Sequence, residues 1–192
     1  MVTCKETIQK IDRLAKRLGI RTKRVDIAPM MHAYFKQVKT KNPILIGNRA
    51  ARERMAILYD FSFRLNGIVI GTTNKTEFSI GYFTKYGDGG VDIEPIADLY
   101  KTQVVELSKF LGVPQDIINS VPTAELWKGQ TDEDEIGVPY SVLDPIIYFT
   151  IDKGYSEDEI RARGFSVQNI RRVKRLIENS RHKREMPPVA MV

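Results

Sequence analysis

Cysteine is almost missing from this chain. Cys4 stands alone among 192 residues, which excludes an internal disulfide framework and fits a reducing compartment. Long apolar runs are missing too: no stretch approaches the roughly 20 residues that cross a bilayer. The first twenty positions hold Lys5, Glu6, Lys10, Asp12, Arg13, Lys16 and Arg17, unlike a signal peptide with its apolar centre. The expected setting is therefore cytoplasmic, with no membrane partner. Repeats, low-complexity tracts and interdomain linkers are also lacking, so residues 1–192 read as one domain long enough to enclose a core.

The net charge of +6 is unevenly placed. Residues 161–184 hold nine lysines and arginines against one acid, Glu178, a local excess of eight, so the remainder carries a net −2. Such a basic stretch suits a phosphate-bearing small ligand, a nucleic acid, or a solvated helix face. Aromatic residues are not interleaved with these cations, so stacking on single strands is poorly supported and no nucleic-acid partner is expected.

Hydrophobic spacing predicts alternating helices and strands, an α/β class. Ile8, Ile11, Leu14, Ala15 and Leu18 recur at helical intervals, with Gly19 as the stop. Residues 23–28 (KRVDIA) read as a short strand ended by Pro29. Asn48 is expected to cap a helix reaching about Asn66, its buried stripe being Ala51, Met55, Leu58 and Leu65. Residues 68–70 (IVI) form an apolar strand of the kind buried on both faces of a parallel sheet. Asp98 caps the next predicted helix, with Val104, Val105, Leu107, Phe110 and Leu111 inward. Further helices are expected at 141–153, 156–163 and 166–179, each opening on a serine.

Two polar clusters carry the chemistry. The segment YFTKYGDGGVD (82–92) puts Lys85, three glycines, Asp88 and Asp92 within eleven residues. A GDGG run can wrap a phosphate or a base edge, because glycine tolerates positive φ; it can equally be a tight turn. Upstream, the strand 68–70 leads into Gly71, Thr72, Thr73, Asn74, Lys75 and Glu77, where a doubly wound sheet places its ligand. Thr72 can hydrogen-bond a nucleotide there. Glu77 can hold Mg²⁺, or can simply be a first-turn acid stabilised by its helix dipole. Lys101, near a helix start, opposes the macrodipole, which a bound anion would explain.

Taken together, GNRAARERM (47–55), VIGTTNKTE (69–77), GYFTKYGDGGVDIEPIADLYKTQV (81–104), PTAELWKGQTDEDEIG (122–137) and HKREMPP (182–188) resemble the NAD synthetases, of the ammonia-dependent type. The resemblance runs over essentially the whole chain. It implies a doubly wound parallel sheet of the adenine-nucleotide α-hydrolase type and a homodimer. It also implies ATP-dependent amidation of deamido-NAD by ammonia, through an adenylylated carboxylate, with release of AMP and pyrophosphate. By motif, Arg52, Lys85, Asp92, His182 and Lys183 are expected to contact deamido-NAD. Thr72, Lys101 and Thr123 are expected to contact ATP, Glu77 to hold Mg²⁺, and Asp88 to receive ammonium; Asp88 and Lys101 are the catalytic pair. Taken singly, Arg52 beside Arg49 and Arg54 could be solvated charge, and His182 a surface residue. The TDEDE run (131–135) reads as a solvated acidic loop with no assigned role. Met30, Met31, Phe35 and Trp127 are left to core or interface.

One motif of that family is not found. No S-G-G-x-D-S string, whose backbone would hold pyrophosphate and whose aspartate would bind Mg²⁺, occurs in the chain. Residues 3–18 resemble the helix after the family's second strand. The sheet is therefore expected to miss its first strands, leaving open edges beside 23–28 and 68–70 and no cover for Ile8, Ile11 and Leu14. On that expectation the chain alone binds deamido-NAD weakly and does not use ATP productively. The alternative functions are a non-catalytic or fragmentary relative that binds deamido-NAD or a full-length partner subunit, and an unrelated basic nucleic-acid-binding domain, against which the motif matches stand.

Overall fold

A computed structural model of the chain describes residues 5–127 and 129–191; Cys4 falls outside them. In chain order the helices are α1 (Lys5–Leu18), α2 (Ala28–Gln37), α3 (Pro43–Leu65), α4 (Lys75–Ile80), α5 (Lys101–Phe110) and α6 (Gln115–Ile118). They continue with α7 (Asp132–Ile136), α8 (Tyr140–Ile147) running into a π-helical turn (Tyr148–Asp152), α9 (Glu157–Arg161), α10 (Val167–Asn179) and α11 (Arg181–Arg184).

The core lies in the second half, where α8 packs against α4, α5 and α10, and α9 closes on α10. Leu143, Ile146, Ile147, Ile160, Ile170 and Val173 are fully buried in it. Their spacing sets this arrangement: Leu143, Ile146 and Ile147 lie three and four apart and so share one face of α8. The expected serine caps at Ser156 and Ser166 both form, accepting from Glu159 N and Asn169 N. The third helix of that set departs from expectation, since Pro139 and not a serine precedes α8.

The expected sheet is not seen among the described residues. Residues 68–70 and 92–93 make an isolated parallel bridge, Ile70 to Ile93, through Gly71 N to Ile93 O at 2.8 Å and Asp92 N to Val69 O at 3.0 Å. The stretch 23–28 is unpaired and α2 already begins at Ala28. A strand exists only by pairing, and these two segments do not meet. Consequently Ile68 and Ile70 are more than 60% exposed, against the two-sided burial their apolar run predicted.

Helix limits shifted for local reasons. Asn42, not Asn48, caps α3, accepting from Ile44 N and Leu45 N ahead of Pro43 at the first helical position. Ala51 and Met55 are buried as expected, but Leu58 and Leu65 are exposed. Tyr100, not Asp98, precedes α5; Val104 and Val105 are half-buried, while Phe110 is 87% exposed. On α1, which ends before Gly19 as expected, Ile11 is exposed and Ile8 and Leu14 only half-buried. Polar contacts tie that helix to the chain near 116–125: Thr7 Oγ1 donates to Glu125 at 2.6 Å, Lys10 to Ser120 at 2.9 Å, and Arg13 pairs with Asp116.

Candidate active site

Four side chains named from the sequence come together. Thr72, Glu77, Lys101 and Thr123 line one cavity of about 490 Å³. Glu77 is held by a reciprocal cap at the start of α4: Asn74 Oδ1 accepts from Glu77 N at 3.0 Å, and Glu77 Oε2 accepts from Asn74 N at 3.1 Å. Its other oxygen accepts from Lys101 Nζ at 3.2 Å, and that ammonium also stands 5.4 Å from the centre of the Tyr140 ring. The cation that seemed misplaced at a helix start is thus answered by Glu77 and an aromatic face. Thr123 sits on the segment between α6 and α7, which Asp132 N closes by donating to Pro122 O at 3.0 Å.

Sequence reasoning missed the floor of this cavity. Asp132, the second residue of the TDEDE run, is buried and lines the cavity. Its carboxylate accepts from Tyr82 Oη at 3.2 Å and Tyr140 Oη at 3.0 Å. Burial, joined by the neighbouring carboxylates, pushes both phenols far above the ordinary tyrosine range, so they act as hydrogen-bond donors. Glu133, Asp134 and Glu135 are exposed as expected, but the segment is a helix and not a loop, and Glu133 and Glu135 accept from Tyr140 N and Tyr82 Oη. The missed signal was the Thr131 cap, which turns the run into a short helix with Asp132 inward.

A second group gathers around the glycine loop. Arg52 Nε, on α3, donates to the Lys85 carbonyl at 3.1 Å, and Lys85 Nζ donates to the His182 carbonyl. Lys183 reaches from α11 to donate to Gly81 O and Phe83 O, both at 2.7 Å. Burial holds the Lys183 ammonium below the usual lysine pKa, opposed by the charge of Asp88. Asp88 itself accepts from Thr84 N at 3.0 Å, and the exposed His182 ring rests on Asn179 O at 3.2 Å. Arg52, Lys85, His182, Lys183 and Asp88 therefore surround one turn. Asp92 does not join them: its carboxylate accepts from Val69 N at 2.7 Å and Tyr59 Oη at 3.0 Å, bracing the parallel bridge.

The glycines of this loop serve packing. Gly87 and Gly89 are absent from the residues with positive φ. A Cβ at Gly87 would meet Ala51 Cβ at 3.0 Å, and one at Gly89 would meet the Phe83 ring at 2.2 Å. The loop thus lies directly on α3 and on Phe83, whose carbonyl holds Lys183. Beside it is a cavity of about 230 Å³ lined by Asn48, Tyr82, Thr84, Trp127, Glu135 and Lys183, among others. Tyr82 and Ala124 line both cavities and form their common wall. Two anionic ligands could meet across that wall, one near Lys101 and one near Lys183.

The family model described as NAD synthase matches residues 1–187. The chain belongs to the NAD synthase family. It is 43% identical to an NH(3)-dependent NAD(+) synthetase from Archaeoglobus fulgidus over 191 residues, covering 100% of this chain and 74% of that one. Its relative of the same name in Sulfolobus acidocaldarius is 47% identical over 165 residues, covering 85% and 59%. Relatives in this family are thus longer than the chain. Among solved structures, an NMN synthetase from Francisella tularensis superposes with a TM-score of 0.84 at 36% identity, covering 96% of this chain and 73% of the other. An NH3-dependent NAD synthetase from Campylobacter jejuni, in complex with nitrate, gives 0.82 at 28% identity, covering 100% and 75%.

Proposed function

We propose that the chain works in ATP-dependent amidation of deamido-NAD to NAD, with ammonia as nitrogen donor. The observation that carries this reading is the common wall of Tyr82 and Ala124, with Thr72, Glu77, Lys101 and Thr123 on one side and Lys183 on the other. A carboxylate is a poor acyl acceptor, so its oxygen first attacks the α-phosphorus of ATP as the bond to pyrophosphate breaks. Ammonia then attacks the acyl carbon, AMP leaves, and a proton is lost. Lys101 steadies the triphosphate as charge moves toward pyrophosphate, with Thr72 and Thr123 donating hydroxyls. Arg52, Lys85, His182 and Lys183 hold the dinucleotide phosphates, and Asp92 positions that side through the bridge it braces. Asp88, an exposed carboxylate facing this turn, receives ammonium and takes its proton.

The donor set fits Mg²⁺ arriving with ATP. No group of three or more ligating side chains is found among the described residues. Of the two carboxylates lining the cavity, Asp132 is taken up by Tyr82 and Tyr140 and Glu77 is left to ligate, and Mg²⁺ needs only one or two when phosphates and water complete its shell. Bound there, Mg²⁺ would offset the triphosphate charge. Thr72, Thr123, Lys101 and Glu77 are few groups for a triphosphate, so we take turnover to need the pyrophosphate-holding S-G-G-x-D-S loop from a further segment. The assembly on this reading is a cytoplasmic homodimer.

The test is NAD formation by the 192-residue protein with deamido-NAD, ATP, Mg²⁺ and ammonium, beside Lys101→Ala. Turnover abolished by Lys101→Ala supports amidation by this chain and removes the need for a further segment. A folded protein that binds deamido-NAD without turnover is the result expected of the chain alone. Turnover gained on adding a polypeptide that carries the S-G-G-x-D-S loop then supports the reading, and none gained supports the alternative, a non-catalytic or fragmentary relative paired with a full-length subunit. No binding at all refutes the reading. Likeness to the Francisella NMN synthetase favours a second substrate, so nicotinic acid mononucleotide is assayed in parallel; a preference for it moves the reading from dinucleotide to mononucleotide.

A further inference from the structure

Helix α5, which carries Lys101 at its first position, is not capped by the Tyr100 side chain; Gln103 Oε1 turns back to accept from Tyr100 N at 2.9 Å, and the N–H groups of Lys101 and Thr102 are left to other partners. The first backbone N–H groups of a helix lack partners within it, and a buried end left so is unfavourable. Here the partners come from two other helices. Lys101 N donates to Thr76 Oγ1 of α4 at 2.9 Å, and Thr76 Oγ1 in turn donates to Asp144 Oδ1 of α8 at 2.6 Å. Thr102 N and Thr102 Oγ1 donate to Asp144 Oδ2 at 2.9 and 2.8 Å. Thr76 is fully buried and Asp144 is 4% exposed. One buried carboxylate therefore closes the end of α5 and, through Thr76, joins it to α4, which carries Glu77.

We infer that Asp144 is a positioning residue for the Lys101–Glu77 pair, setting the lysine that faces the phosphate cavity. A cation in the first turn of a helix opposes the macrodipole; the negative Asp144 at the same helix end offsets this. Asp144 lies behind the pair, on the other side of Thr76 and Thr102, and touches neither Lys101 Nζ nor Glu77 through any of its hydrogen bonds. Its effect on the cavity passes through the backbone of residues 101–102. The inference deepens the proposed function, since it assigns the device that aims Lys101.

The test compares the chain with Asp144→Asn, which keeps the shape, and with Thr76→Val, which breaks the relay alone. Each is labelled with trace acetic anhydride and the acetylation of Lys101 is read by mass spectrometry against Lys10. Lys10 is the reference because its side chain is 23% exposed, as is that of Lys101, and it lies on α1, which holds none of Thr76, Thr102 and Asp144. Lys101 is already 23% exposed, so freeing its side chain leaves room for a rise of roughly fourfold at most; its labelling should rise about two- to fourfold relative to Lys10 in both variants, with helical circular dichroism retained. An unchanged ratio, or equal rises at both lysines, overturns the inference. So does failure of both variants to fold, which would assign the cluster to core stability. MgATP protection of Lys101 in the unmutated chain tests the ATP reading separately: its absence sinks that reading, while the labelling ratio still decides the role of Asp144.

Discussion

Gly89→Ala should damage stability and the dinucleotide side of the site together. A Cβ at this position would lie 2.2 Å from Phe83 Cδ2 and 2.6 Å from Cε2, more than 1 Å inside van der Waals contact. Phe83 cannot step aside freely. It is 9% exposed, stacks on Phe78 at 5.9 Å, and lies 5.4 Å from the Lys183 ammonium. Overpacking of this kind costs about 1–3 kcal/mol. For a chain of this size each kcal/mol moves Tm by about 2–4 °C, so a fall of roughly 6 °C is expected. Because the Phe83 carbonyl accepts from Lys183 at 2.7 Å, the same displacement should weaken deamido-NAD binding. Gly90→Ala is the internal comparison, its nearest contact being the Tyr86 backbone at 3.2 Å, and should shift Tm much less. The assay is thermal unfolding by circular dichroism, with calorimetric titration of deamido-NAD. A Tm within 1 °C of the unmutated chain (well below the shift expected from overpacking) would refute the packing argument for this loop.

Other consequences are as direct. Leu143→Ala empties a fully buried position of α8 and should cost about 2–5 kcal/mol in denaturant unfolding. Asn42→Ala removes the cap of α3 and should cost about 1 kcal/mol. Glu94, whose carboxyl is pushed up chiefly by burial, binds its proton more tightly folded than unfolded. The stability this gives is present below the ordinary glutamate range and falls as pH rises through the folded value. Glu94→Gln should flatten that decline in a pH series of melting curves; an unchanged slope would refute it.

What the sequence disclosed was set by the range of the interaction behind each feature. Caps and stops are local, so Ser156, Ser166 and Gly19 could be placed from their own neighbours. Asn48 was misplaced because a nearer competitor, Asn42 ahead of Pro43, satisfies the same N–H groups at the true helix start. The strand at 68–70 was legible as apolar, but its neighbours along the sheet are not a local property, and a single partner at Ile93 leaves it a bridge. Leu58, Leu65 and Phe110 keep helical spacing while lying exposed, since spacing says which face is apolar and not whether anything covers it.

The site shows the same division at closer range. Motif strings located Thr72, Glu77, Lys101 and Thr123 on three separate segments, and only folding brings them to one cavity. Asp132 and Asp144 escaped notice because an aspartate in an acidic run or before a proline carries no local sign of burial. Each becomes significant through tertiary donors: two tyrosine hydroxyls for Asp132, two threonines and a backbone N–H for Asp144. A buried carboxylate needs such donors to replace the water its oxygens have lost. The two acids therefore supply negative charge on either side of Lys101, through Tyr140 on one side and through the end of α5 on the other. A lysine so framed is oriented before any ligand arrives, and a group oriented in advance does not have to be ordered as the phosphate binds.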